Sequence, residues 1–215
     1  ASLGSLHLNG RWFAVDNDSI FMGTDIANVS RIEGGWPLVR TWLSLVGLSG
    51  GSAITSDPWY QEGFRDYRRN LEVLTPPARE AAEVLDLCRD REWSRLIRHV
   101  VRPWGRMTVA LLWNPGSTER TVHLDFAAAG LDPAARYAVW SVWDNRYLGV
   151  VEGGWTTPPL SPGASQHVRF TPLAAVENRP VLIGSNLHLH CGAEEVSRVN
   201  SLQGAMEIEL GGAGA

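Results

Sequence analysis

Lysine is missing from this sequence: all 19 basic residues among its 215 are arginine. No lysine nucleophile or Schiff base is therefore open to the chain. Cysteine is scarce as well. Cys88 and Cys191 are too few for a disulfide framework, and the sequence leaves open whether they pair. No apolar run approaches the roughly 18 residues that span a bilayer, so no membrane partner is expected. A strong charge of one sign is also lacking. The net charge is −4, with no basic field to hold a phosphate backbone, so no nucleic acid is expected as a partner. There is no phosphate-cradling glycine loop, no Gly-x-Ser-x-Gly elbow and no supported Cys/His dyad. His188, His190 and Cys191 are near neighbours, but a zinc site needs about four ligands and no partner pair is evident. No metal and no cofactor are expected.

What the sequence does have is tryptophan, ten residues of it. Indole faces stack on the apolar faces of sugar rings, but they also supply large buried area in any core, and core packing is the default. The bulk numbers, 44% hydrophobic and 20% charged, are those of an ordinary globular protein able to bury a sizeable core.

Two periodicities divide the chain. In the first half, residues 11–15 (Arg-Trp-Phe-Ala-Val) form a short apolar run ending in Asp16-Asn17-Asp18, which reads as a buried strand delivering polar residues at its end. Pro37, behind Gly34-Gly35-Trp36, suits the first residue of a helix, and Leu38, Val39, Trp42, Leu43, Leu45, Val46 and Leu48 make that helix apolar on most sides until Gly50-Gly51. Ser52-Ala53-Ile54-Thr55 repeats the strand pattern and runs into Ser56-Asp57-Pro58. A helical stretch follows around 62–74, and Pro76-Pro77 stops it. This βαβα order implies parallel strands. Residues 79–90 read either as a helix or as a linker.

The second half alternates with period two. Val122, Leu124 and Phe126 share one face of a strand while Thr121, His123 and Asp125 share the other. Residues 107–113, 137–143, 166–170 and 181–183 read as further strands, separated by turn clusters such as Asn114-Pro115-Gly116 and Ser161-Pro162-Gly163. His188 and His190 fall on a presumed strand and point the same way. Short strands with regular turns predict an antiparallel sandwich.

The segment Asp16-Asn17-Asp18-Ser19-Ile20-Phe21-Met22-Gly23 resembles the Asp-Pro-Asp segment on the seventh barrel strand of α-galactosidase-like (melibiase) retaining glycoside hydrolases. Residues 42–51 are similar to that family's next helix, and Ser56-Asp57 to its Ser-Asp pair at the end of the eighth strand. Downstream, Val109-Ala110-Leu111-Leu112-Trp113-Asn114, Val142-Trp143-Asp144 with Tyr147-Leu148-Gly149, and Val181-Leu182-Ile183-Gly184-Ser185 resemble strands of its C-terminal sandwich. The resemblance spans most of residues 10–195. It implies a fold class of α/β plus all-β: a partial (β/α)8 barrel, the last two βα units in residues 1–78, followed by an antiparallel β-sandwich in residues 79–212.

In such barrels the chemistry gathers at the C-terminal strand ends. The resemblance implies that Asp18 lines the sugar pocket, accepting hydrogen bonds from substrate hydroxyls. Asp16 reads either as a pocket residue or as a side chain holding its own loop, Asp57 as pocket rim or turn, and Trp12 as stacking platform or core. Asn17 departs from the family's proline and Ser19 from its apolar residue. No catalytic residue is assigned within the chain, because the family's nucleophile and acid/base sit on earlier barrel strands. The implied activity is hydrolysis of α-galactosides or related α-glycosides, with an oligosaccharide or glycoside as partner, and the fragment is expected to be inactive alone. The alternative is a non-catalytic carbohydrate-binding or structural module built on the sandwich, with Trp140 or Trp155 as its platform.

Overall fold

The computed structural model describes residues 9, 14, 16–17, 19–20, 35–55, 60, 62, 65–78, 80–87, 89, 92–173, 180–202 and 204–211. The architecture is mostly β, with few helices and predominantly antiparallel sheets. The first described segment contains a short strand β1 (Ser19–Ile20), a helix α1 (Gly35–Leu48) and a short strand β2 (Ile54–Thr55). β1 and β2 pair in parallel, Ser19 opposite Ile54 and Ile20 opposite Thr55. The pairing therefore falls beyond Asp16 and Asn17, which lie outside any strand, as does Ala14. Residues 11–13, 15 and Asp18, on which the anticipated strand-then-carboxylate order rests, lie outside the described residues.

Helix α1 carries Pro37 in its first turn, where the missing N–H has no intrahelical acceptor to lose. Its end is set at Gly50, which has φ of +69°. A Cβ there would lie 2.7 Å from the Ala81 backbone nitrogen, so both the left-handed conformation and the crossing chain require glycine. A second helix, α2 (Arg65–Glu72), follows, and residues 83–84 form strand β3 rather than a helix, paired antiparallel to β4 (Arg95–Arg102).

The centre of the molecule is a six-stranded sheet in the order β3-β4-β5-β10-β7-β8. Its remaining strands are β5 (Gly105–Trp113), β7 (Arg136–Ser141), β8 (Arg146–Val151) and β10 (Ser165–Leu173). All its pairings are antiparallel. The chain leaves the sheet twice, for β6 (His123–Asp125) and for β9 (Gly154–Thr156), which pair with each other as the second layer. β10 then returns between β5 and β7. A hairpin of β11 (Val196–Leu202) and β12 (Ala205–Leu210) closes the described chain.

Pleating divides the sheet's side chains between two cores. Ile97, Ala110, Leu112, Tyr137, Val139, Val168 and Phe170 face the β6–β9 layer and meet Val122, Leu124 and Phe126. Phe126 lies edge-on to both Tyr137 and Phe170, at 5.0 and 5.3 Å between centroids. On the opposite face Leu96, Val109 and Leu111 pack against Leu45 and Leu48 of α1. Strands covered on both sides explain why Met107–Leu112 is apolar almost throughout instead of alternating. Residues 181–183 and 188–190 are not strands; they belong to an irregular segment that covers the α1 side of the sheet. Cys191 carries a free, buried thiol, pushed up to about 11 by burial, so the two cysteines are not bridged.

Candidate functional site

Asp18, Asp57 and Trp12 lie outside the described residues. Asp16, the remaining site residue expected from the sequence, is exposed, and its Oδ1 accepts a 3.0 Å hydrogen bond from the Ser52 hydroxyl. The side chain thus ties its segment to the loop ahead of β2.

Asn17 holds the segment more firmly. Its Nδ2 donates to Ser49 Oγ at 2.6 Å and to the Ser52 carbonyl at 2.8 Å, and its backbone N–H donates to Ser52 Oγ at 3.4 Å. A proline could make none of these bonds, lacking both the amide and the N–H. Ser49 is fully buried; its hydroxyl donates to the Val46 carbonyl at 2.7 Å and accepts from Gly51 N–H at 3.0 Å. Asn9 Nδ2 donates to the Ser49 carbonyl at 3.1 Å. The C-terminal end of α1 is therefore a polar knot that fixes residues 16–17 against residues 49–52.

A second polar assembly lies between α1, the sheet and the irregular segment 180–195. Alternate residues of β10, namely Ser165, His167, Arg169 and Thr171, form a stripe on the face opposite Val168 and Phe170. Thr41 donates to Ser165 Oγ at 2.8 Å, and His167 Nδ1 meets Ser44 Oγ at 2.9 Å. Arg169 donates to the Cys191 carbonyl at 2.6 Å, to Thr171 Oγ1 at 2.9 Å and to the Leu182 carbonyl. The buried guanidinium thereby replaces its lost hydration with backbone acceptors.

His188 Nε2 donates to the Pro76 carbonyl at 2.7 Å, and His190 Nε2 donates to the Gly47 carbonyl at 2.9 Å. His188 Nδ1 accepts the His190 backbone N–H at 3.0 Å, while His190 Nδ1 accepts from Arg98. Both rings are thus neutral Nε2–H tautomers with every nitrogen engaged, which leaves no lone pair for a metal. Burial lowers the pKa of both, and the Arg98 guanidinium lowers them further. His167 is pushed down to about 3, by burial first and then by its proximity to His188. Arg98 completes the assembly with ion pairs to Glu194 at 2.9 Å and to Glu80 at 3.0 Å. Among the described residues no group of three His, Cys, Asp or Glu side chains is placed to hold a metal.

The tryptophans fall into clear environments. Trp155 packs edge-on to Phe170 at 6.0 Å within the sandwich core. Trp140 lies in the α1-side core with the Gly184 backbone against its ring. Both rings are half-buried, each packed on one side against a core cluster.

No protein-family model matches the chain, and neither does any curated protein sequence. Among solved structures it is similar to the GH27 β-L-arabinopyranosidase of Geobacillus stearothermophilus, at 14% identity and a TM-score of 0.56, covering 82% of this chain and 41% of that one. A variant of that enzyme in complex with arabinose matches at 17% identity and a TM-score of 0.51, over 64% and 31% of the two chains. The chain has an α-galactosidase-like fold. A candidate α-N-acetylgalactosaminidase from Bacillus halodurans shares the α-galactosidase-like fold at 13% identity and a TM-score of 0.50, over 64% and 32%. The chain spans less than half the length of these structures.

None of the buried polar stripe was expected from the sequence. The signal was present in Ser165-x-His167-x-Arg169-x-Thr171, polar at every second position, but period two alone reads such a face as solvated. Only the cover provided by α1 and residues 180–195 buries it.

Proposed function

We propose that this chain is the C-terminal portion of a retaining glycoside hydrolase acting on α-galactosides or related α-glycosides. Residues 1–78 would supply the last two βα units of a (β/α)8 barrel and residues 79–212 the sandwich behind it. Asp18, with Asp16, Asp57 and Trp12, would line the sugar pocket, Asp18 accepting hydrogen bonds from substrate hydroxyls. The carboxyl pair that breaks the glycosidic bond would stand about 5–5.5 Å apart on earlier barrel strands. The observation that carries this reading is the parallel pairing of β1 and β2 around α1, a helix whose inner face packs on an antiparallel sandwich. Ile54, on β2, is 52% exposed and borders an apolar hollow of about 290 Å3 with Leu71 and Leu74, a surface suited to burial by neighbouring barrel units. The likeness to glycosidase structures supports the same reading.

The test is turnover of a chromogenic α-galactoside by this chain. No activity is expected. Turnover that vanishes in Asp18→Asn and Asp57→Asn would move the catalytic groups into residues 1–78 and overturn their placement on earlier strands.

A further inference from the structure

A cavity of about 220 Å3 opens where the start of α1 meets the β7–β8 turn and the beginning of β10. Its apolar wall includes Trp143 and Pro37, and its polar groups include Arg40, Asp144, Gln166 and Ser161. The Trp143 indole is fixed, because its Nε1–H donates to Ser44 Oγ at 2.8 Å. Asp144 is held by the Ser141 hydroxyl, which donates to Oδ2 at 2.8 Å. The other oxygen, Oδ1, is only loosely paired, 3.9 Å from Arg40, and both side chains remain partly exposed. Arg40 also lies over the indole, 5.8 Å from its centroid. Among the described residues no hydrogen bond engages the Gln166 amide, whose oxygen and NH2 can serve one ligand as acceptor and donor together.

We infer that this cavity binds a single neutral pyranose, the terminal unit of a glycan, on residues other than those proposed for the sugar pocket. Three properties select that ligand. Rigid indole and proline surfaces suit the C–H face of a sugar ring, which is where aromatic side chains gain contact area cheaply. A carboxylate, a guanidinium and an amide around one hollow match the paired donors and acceptors of vicinal hydroxyls. The charges of Arg40 and Asp144 balance, and the bordering His167 is held neutral in the folded chain, so neither a phosphate nor a uronate finds a net counter-charge. The volume lies below the ~300 Å3 at which pockets begin to accept drug-sized ligands, which limits the site to one ring. The inference does not depend on the assignment of Asp18, Asp16, Asp57 and Trp12 to a sugar pocket, since the cavity is argued from described residues between Pro37 and His167.

The experiment is a titration of the full chain with galactose, arabinose, glucose and N-acetylgalactosamine, following the indole N–H signals by nuclear magnetic resonance. Trp143→Phe assigns the reporter signal. A ligand of this size is expected to bind with Kd on the order of 1 mM. One of the four should shift the Trp143 signal saturably. Asp144→Asn and Arg40→Gln should each weaken binding by about tenfold or more, as loss of a charged hydrogen bond does. Both side chains are partly exposed, so an unchanged circular dichroism spectrum and melting temperature will establish that these variants fold. Failure of all four sugars to shift the Trp143 signal overturns the inference. So does binding that survives both substitutions, or a saturable shift confined to the Trp12 indole, which would place the sugar in the proposed barrel pocket instead.

Discussion

Replacing Asn17 with alanine removes two side-chain hydrogen bonds, to Ser49 Oγ and to the Ser52 carbonyl, and leaves the buried Ser49 hydroxyl short of a donor. The expected cost is about 1–3 kcal/mol, read as a lower urea midpoint with faster amide exchange at Gly51, whose N–H shares the same hydroxyl. A midpoint unchanged in Asn17→Ala would mean the knot does not contribute to folding. From the sequence this residue was only a departure from the family's proline. Its role became legible once α1 and the Asp16 segment were in contact, because a short polar side chain reveals nothing about a partner more than thirty residues away. Asp16 follows the same logic: its bond from the Ser52 hydroxyl crosses 36 residues, a partner that the residue type does not name.

At the scale of single elements, α1 and β5 were legible directly, since each is a largely apolar run of element length, and β10 was legible from its core around Val168 and Phe170. β4 was not read: Arg95–Arg102 carries three arginines and a histidine among its apolar positions, and Arg98 is buried with its terminal nitrogens paired to Glu80, Glu194 and His190. Val181–Ile183 looked like a strand by composition but spends its carbonyls on Arg169 and Thr171 instead of on a neighbouring strand. The fit of α1 against the irregular segment gives a sharp prediction at Gly47. A Cβ there would lie 2.8 Å from Leu189 Cδ1 and 3.2 Å from Leu74 Cδ2. Alanine is the better helix former, yet Gly47→Ala should destabilise the chain by ~1–3 kcal/mol through overpacking. A stabilised variant in thermal unfolding would show that the Leu189 side chain gives way freely.

Across the whole molecule, three histidines held neutral in one seam make stability depend on pH. His167 has its folded pKa depressed from 6.5 to about 3, and His188 and His190 are lowered as well. Below 6.5 the unfolded chain binds protons that the folded chain does not, so stability is complete above that value and falls as the pH drops toward about 3. His167 alone should contribute a slope of about 1.4 kcal/mol per pH unit within that window. His167→Gln should lower stability at neutral pH and flatten the profile of urea midpoint against pH; an unaltered slope would exclude His167 as its source. The sequence by itself determined that the chain carries a buried helix and that its second half is an antiparallel sandwich, because hydrophobic period and turn chemistry are local properties written residue by residue; the resemblance to an α-galactosidase-like fold came from matched motifs. Tertiary structure alone decided which polar residues would be buried and that the Ser52 hydroxyl would donate to Asp16. Those outcomes depend on what covers a side chain, and the covering residues lie dozens of positions away along the chain.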